Sequence, residues 1–359
     1  MKITIVGGGN IGTQFAVHCT EKGHSVTIYT SKPDLYDGYL NIVDEASNIT
    51  HEGKIKLATS SPEEAFRNAD VIIITSPATQ MGSISETIFN YSDSKTIIGV
   101  VPGNGGGECA FKKCIERGNI FFGVERVPAI ARLVQKGKTV RSTGYMTELH
   151  VAAIPKQYAA KCADLIGSIF NIRTTIIPNF LNLSLTPSNP ILHTTRLRIL
   201  FGDWYTGKTY NHIPLFYEDW NDESSELLIA CDEEVQSICQ SLTEFDLQYV
   251  KSLRIHYESP TVEAMTKKIS SILAFKGLEA PIVSVEGGQI PDLHSRYFTA
   301  DFSFGLTIIK QIGAFAGAQT PNIDETLSWY QNISVEKSEF RFEDYGINNK
   351  SEFEVFYRR

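Results

Sequence analysis

The stretch MKITIVGGGNIGTQFA, residues 1–16, decides the fold. Lys2–Val6 reads as a short apolar strand, and Gly7, Gly9 and Gly12 follow it at GxGxxG spacing. From Ile11 to Cys19 apolar residues recur at helical period. Each glycine has a physical reason in such a turn. Gly7 permits the sharp exit from the strand, Gly9 lets a ligand's phosphates come close to the backbone, and Gly12 lets the helix pack hard on the strand. The helix start offers free N–H groups and a partial positive charge to an anion. A glycine-rich turn alone is weak evidence. A strand before it and a helix after it supply the context that dinucleotide binding requires. Gly7, Gly9, Asn10, Ile11 and Gly12 are therefore the first cofactor-contacting candidates.

The next strand, His24–Thr30, runs out into Thr30, Ser31 and Lys32, with no acid before Asp34. A carboxylate there would bond the ribose 2′-hydroxyl of NAD, whereas hydroxyls and a lysine suit a 2′-phosphate. The pattern favours NADP over NAD, with a plain polar turn as the alternative. Ser61-Pro62-Glu63-Glu64 starts a short helix. Val71–Thr75 and Lys95–Val101 are β-branched runs typical of buried parallel strands. Pro77, just past the first run, joins the cofactor candidates. Val101-Pro102-Gly103-Asn104-Gly105-Gly106-Gly107 follows the second and puts Asn104 forward as a substrate contact, or else is a flexible connector. Asn119–Val124, Glu148–Ile154, the helix Lys156–Phe170 and the strand Ile172–Ile177 extend the alternation. An α/β Rossmann-type, doubly wound parallel sheet is expected over 1–186.

Composition bounds the rest. A chain of 359 residues is expected to fold as two domains. The net charge is −8 with no lysine/arginine block, so no nucleic-acid partner is expected. No apolar run reaches membrane-spanning length, and the start does not read as a signal peptide. The six cysteines show neither CxxC pairing nor zinc spacing. They read as reduced thiols in a cytoplasmic protein, and no metal is expected. Near Pro178–Asn189 the chain becomes rich in Asn, Ser and Pro, and beyond it the periodicity is helical. An all-α C-terminal domain is expected over 187–359.

Two stretches there break the amphipathic pattern. Ser188-Asn189-Pro190-Ile191-Leu192-His193 places an imidazole in the first turn of a helix just after the boundary, where it would face a cleft between domains. His294–Gly305, HSRYFTADFSFG, sets Arg296 and Asp301 among aromatic residues. Two plain readings compete: a core or capping histidine, and an Arg296–Asp301 pair. The chemical reading gives His193 a proton to move, Asp301 an imidazole to orient and Arg296 a substrate carboxylate to clamp. Asn189 is added as a substrate contact. His212 and His294 are other imidazoles available for the proton role. The aromatic run Phe201, Trp204, Tyr205, Tyr210, Phe216, Tyr217 and Trp220 reads as core, a side-chain pocket or a subunit contact.

Six motifs, in order, carry a family resemblance: GGGNIG, VVPGNGGG, SNPILH, FYEDW, HSRYFTADFSFGL and TPNIDETLSWY. Together they resemble the NAD/NADP octopine/nopaline (opine) dehydrogenases. The resemblance implies an NAD(P)-binding domain joined to a helical domain of the 6-phosphogluconate dehydrogenase-like kind. It implies that His193 and Asp301 are the catalytic dyad and Arg296 the substrate anchor. Two positions depart from the family pattern: Ala300 stands where an acid is common, and Thr194-Thr195 where Pro-Gly often follows the histidine. The implied reaction is reductive condensation of an amino acid with an α-keto acid, pyruvate first, through an imine; the partners expected are these small molecules, with a homodimer as the candidate assembly. One rival is a related reductase of a 2-hydroxy acid or polyol phosphate using Lys251, Lys267, Lys268 or Lys276 as acid. The other is a non-catalytic NADP(H)-binding sensor.

Overall fold

The computed structural model describes residues 1–186, 188–334 and 339–359. The chain forms two units, Met1–Ser184 with Phe356–Arg359, and Leu185–Val355. The sequence boundary put everything after 186 in the helical domain, so the last four residues are a difference. The reason is burial: Phe356 and Tyr357 are buried, and the Tyr357 hydroxyl donates to Glu108 Oε1 at 2.7 Å. The expected start of the second domain, Pro187, lies outside the described residues, as do residues 335–338 of the polar tail. Among the described residues no helix is long and apolar enough to cross a membrane.

The first unit is built on twelve strands: β1 (Lys2–Val6), β2 (Ser25–Tyr29), β3 (Tyr39–Asp44), β4 (Ile49–Lys54), β5 (Leu57–Thr59), β6 (Val71–Ile74), β7 (Ile97–Val100), β8 (Phe121–Val124), β9 (Ile130–Gln135), β10 (Thr139–Thr143), β11 (Glu148–Ile154) and β12 (Arg173–Ile176). Eight of them form one sheet in the order β12-β11-β8-β7-β6-β1-β2-β5. From β5 through β8 every pairing is parallel, and β11 joins β8 antiparallel. The doubly wound expectation is met, with an antiparallel step near one edge. Val71–Ile74 is wholly buried, which explains its unbroken β-branched run. The chain passes from β1 to β2 on one side and returns to β6 on the other. The loops after β1 and β6 therefore flank the switch point where ligands of such sheets bind.

The helix α1 (Asn10–Glu21) packs between this sheet and a second one that the sequence reading did not separate from the loops. The second sheet runs β4-β3-β10-β9. Its strands alternate buried and open residues, with Leu40, Ile42, Asp44, Val140 and Ser142 turned inward. Asp44 and Ser142 interrupt the apolar signal. The sheet lies very close to α1. A Cβ on Gly53 would sit 2.1 Å from Thr20 Oγ1 and 3.0 Å from the Val17 Cα.

The second unit is helical, with Asn189–Phe201, Asp222–Ser241, Val262–Ser270, Thr307–Ala316 and Pro321–Ile333 as its main helices. The expectation of a purely α domain is amended by one antiparallel hairpin, β13 (Ile282–Val285) with β14 (Gly288–Pro291). Short alternating segments beside Gly287-Gly288 carry too little periodicity to stand out. The helix Asp222–Ser241 begins where Asn221 Oδ1 accepts the Ser224 N–H at 3.1 Å.

The closeness of Gly53 to α1 has a measurable consequence. Gly53→Ala should lower stability in urea unfolding by about 1–3 kcal/mol through overpacking. An unchanged midpoint would mean that β4 does not press on the helix.

Candidate active site

The first unit carries the glycine turn that the sequence puts forward for phosphates. Gly7 has φ +105°, a conformation that favours glycine. A Cβ on Gly12 would meet Gly7 O at 1.8 Å, so this position must be glycine for α1 to start where it does. A Cβ on Gly9 would meet nothing within 4 Å. That open approach, at a helix start with no side-chain cap, fits a pyrophosphate. Asn10 is engaged otherwise: its Oδ1 accepts the Leu133 N–H at 2.7 Å and ties β9 to the start of α1. Ile11 packs against the core. Tyr36, which the sequence reading passed over, closes one side by donating its hydroxyl to Gly8 O at 3.1 Å. Thr30 is half-buried, with its Oγ1 accepting the Lys32 N–H at 3.3 Å, while Ser31 and Lys32 are exposed. Pro77 is exposed after β6, where Thr75 Oγ1 donates to Val6 O at 3.1 Å. Asn104 is half-buried in the glycine loop after β7. Beyond that loop, the Glu125 carboxylate is taken by His150 Nδ1 and by Arg126 Nε at 3.2 Å. Burial pushes Glu125 up, but those partners outweigh it and hold the carboxyl below its ordinary value.

In the second unit the helix Asn189–Phe201 carries His193 as its fifth residue, at the start of the second turn and not within the first. The helix-start dipole, which fades within a turn, is therefore weaker at this imidazole than the sequence reading assumed. Arg296 opens a short helix, Arg296–Thr299, and a π-helical turn, Phe302–Leu306, begins just after Asp301. Gly305 lets that turn close on the histidine helix, because a Cβ there would lie 2.8 Å from Pro190 Cβ. The contact brings the two segments together, and Asp301 Oδ2 meets His193 Nδ1 at 2.7 Å.

The other ring nitrogen has a partner that sequence reasoning missed. His193 Nε2 lies 2.8 Å from the Tyr217 hydroxyl. With Nδ1–H donating to the carboxylate, Nε2 accepts and the tyrosine O–H donates. Burial, then the neighbouring Tyr297, push the Tyr217 hydroxyl far above its ordinary value and keep it protonated. Arg196, one helical turn past the histidine, holds the tyrosine's loop. It donates to the carbonyls of Leu215, Phe216 and Asp219 at 3.1, 2.9 and 2.7 Å, and burial lowers it to about 10. An arginine spaced three residues after the histidine was the available signal.

Aromatic rings wall the dyad. Tyr297 stands edge-on to His193 at 4.4 Å, and Phe216 stacks on Tyr297 at 5.1 Å. The expected alternative of an Arg296–Asp301 pair is not what forms. Asp301 serves the histidine, while the exposed Arg296 guanidinium lies 5.6 Å from the Tyr297 ring centre and has no carboxylate partner among the described residues. Asn189 is exposed at the helix start. His212 and His294 are exposed and outside the dyad. Lys251, Lys267 and Lys276 are exposed, and Lys268 pairs with Glu258 at 2.9 Å.

Comparison with known proteins finds chains that resemble this one. The alpha-helical-domain model of NAD/NADP octopine/nopaline dehydrogenases matches residues 176–334. The model of coenzyme F420-dependent NADP oxidoreductases matches residues 2–103. Along most of its length the chain is similar to octopine dehydrogenases. An uncharacterised protein of Sinorhizobium fredii is 27% identical over 359 residues, covering 92% of this chain and 94% of its own length. Octopine dehydrogenase of Pecten maximus is 24% identical over 363 residues, with 92% and 90% covered. The solved structure of octopine dehydrogenase with NADH and L-arginine shares the fold, with a TM-score of 0.85, 22% identity and coverage of 98% and 97%. The helical unit is thus similar to the alpha-helical domain of NAD/NADP octopine/nopaline dehydrogenases, and the first unit is similar to NADP oxidoreductases.

Two glycines of the turn separate structural from ligand effects. Gly12→Ala should lower the melting temperature and abolish NADPH binding followed by nicotinamide fluorescence. Gly9→Ala should leave the melting temperature unchanged and weaken NADPH by about tenfold or more. Equal NADPH affinity in Gly9→Ala and the parent would remove the phosphates from this turn.

Proposed function

We propose that the chain catalyses NAD(P)H-dependent reductive condensation of an amino acid with an α-keto acid, pyruvate being the first to test. The observation that carries the reading is the His193–Asp301 hydrogen bond of 2.7 Å, with the Arg296 guanidinium on the neighbouring Tyr297 ring and without a carboxylate partner among the described residues. The bound dinucleotide supplies a hydride to the imine carbon; all else falls to side chains. Arg296 receives the keto-acid carboxylate as a bidentate ion pair. The amine adds to the ketone, and loss of water to give the imine requires proton movement near neutral pH. His193 is the acid/base group for that step. Asp301 holds the Nδ1–H tautomer and stabilises the imidazolium as it forms. Tyr217, hydrogen-bonded to Nε2, takes part in the proton movement through that ring nitrogen. The exposed Ser31 and Lys32, with Thr30 and no acid before Asp34, favour NADP over NAD. Asn104 and Asn189 are proposed as further substrate contacts.

The test is NADPH and NADH oxidation with pyruvate and each amino acid in turn. Consumption that depends on the amine supports the reading, and amine-independent reduction of the keto acid supports a hydroxy-acid reductase instead. In the active pairing, His193→Ala should keep cofactor affinity and lower kcat by about 100-fold or more. Arg296→Ala should chiefly raise the keto-acid KM, with a smaller loss of kcat. Unchanged turnover in the first variant, or a defect confined to cofactor binding in the second, contradicts the assignment.

A further inference from the structure

We propose a divalent transition-metal site, of the zinc type, formed by His18, Glu21 and His51 at the C-terminal end of α1. His18 and Glu21 lie three residues apart, on one face of that helix. His51 lies on β4, two residues before Gly53 and so on the strand face that Gly53 presses against α1. The three side chains converge. His18 Nδ1 is 3.2 Å from Glu21 Oε2, and His51 Nδ1 is 2.8 Å from Glu21 Oε1. One donor atom from each of the three lies within 4.8 Å of the other two. Ligands about 2.0–2.1 Å from a tetrahedral zinc are about 3.3 Å apart, so closing on one ion needs shifts of an ångström or so.

The surroundings fit a metal ligand set better than an ordinary surface ion pair. The two imidazole rings are 5.1 Å apart, with the same nitrogen, Nδ1, turned to the carboxylate. His18 Nε2 is 2.9 Å from the Tyr145 hydroxyl, the outer partner that fixes ring orientation and leaves Nδ1 free to coordinate. His18 is buried, whereas Glu21 and His51 are about 30% exposed. The ion therefore has a route in and room for a water as fourth ligand. Two neutral imidazoles and one carboxylate suit zinc, cobalt or nickel rather than magnesium or calcium, which prefer oxygen. The sequence expectation of no metal looked only at cysteine spacing. His51 joins the set through a strand 30 residues away whose pairing was not read.

Such an ion would pin β4 to α1. It would do so at the opposite end of the helix from the glycine turn, independently of the proposed reaction. The test uses the full chain, freed of metal with EDTA, and titrates it with Co²⁺ alone and then Zn²⁺ alone. The expected result is one Co²⁺ per chain with visible d–d absorption, displaced by Zn²⁺. A higher melting temperature in Zn²⁺ should accompany it. His51→Asn and Glu21→Gln, both at half-exposed positions, should each weaken binding by about tenfold or more. Their melting temperatures in EDTA should match the parent. No stoichiometric binding by the parent overturns the proposal. Binding that survives in both variants also overturns it, because the ion then sits elsewhere, for example on the cysteines.

Discussion

The hydrogen bond between His193 Nδ1 and Asp301 is the constraint around which the helical unit's polar groups are arranged. A bond of this kind to a charged acceptor contributes about 1.5–3 kcal/mol. It forms because Gly305 has no side chain and the π-helical turn can seat against Pro190. Leaving the carboxylate there without its imidazole would strand a partly buried charge. The same helix then does two further things. Arg196, one turn on, fixes the 215–219 loop by three carbonyl contacts, and that loop delivers Tyr217 to the second ring nitrogen. The imidazole is thus held from both sides, in one tautomer, with its ring plane braced by Tyr297.

Local patterns explain what was legible beforehand. The glycine spacing, the β-branched strands and the change in periodicity near residue 185 are all short-range signals. Each pointed to an element that formed. Arg296 and Asp301 stood out because charged groups among aromatic residues need partners. Which partner each takes was not readable, since an ion pair within HSRYFTAD was as natural as a bond to a histidine 108 residues away. Tyr217 was hidden among seven aromatics with no local mark. Its role comes from tertiary placement by Arg196.

The second sheet was missed for a related reason. Tyr39–Lys54 and Ile130–Thr143 alternate, but Asp44 and Ser142 occupy inward positions and mask the apolar period. Those polar groups have hydrogen-bond partners in the fold. Asp44 accepts from the Ala46 N–H at 3.0 Å, and Ser142 accepts from Gln14 Nε2 at 2.6 Å. Helix α1 consequently lies between two sheets. Its first turn is uncapped and open above Gly9, and its last turn meets β4 closely enough to gather two imidazoles and a carboxylate.

The most direct test of the central claim is single-turnover reduction of the substrate pair by Asp301→Asn. The amide preserves shape but cannot stabilise the imidazolium. The account predicts unchanged NADPH affinity and a fall in the rate of about 100-fold or more. A rate within twofold of the parent, at equal cofactor affinity, would show that the imidazole does not depend on Asp301 and would contradict the account.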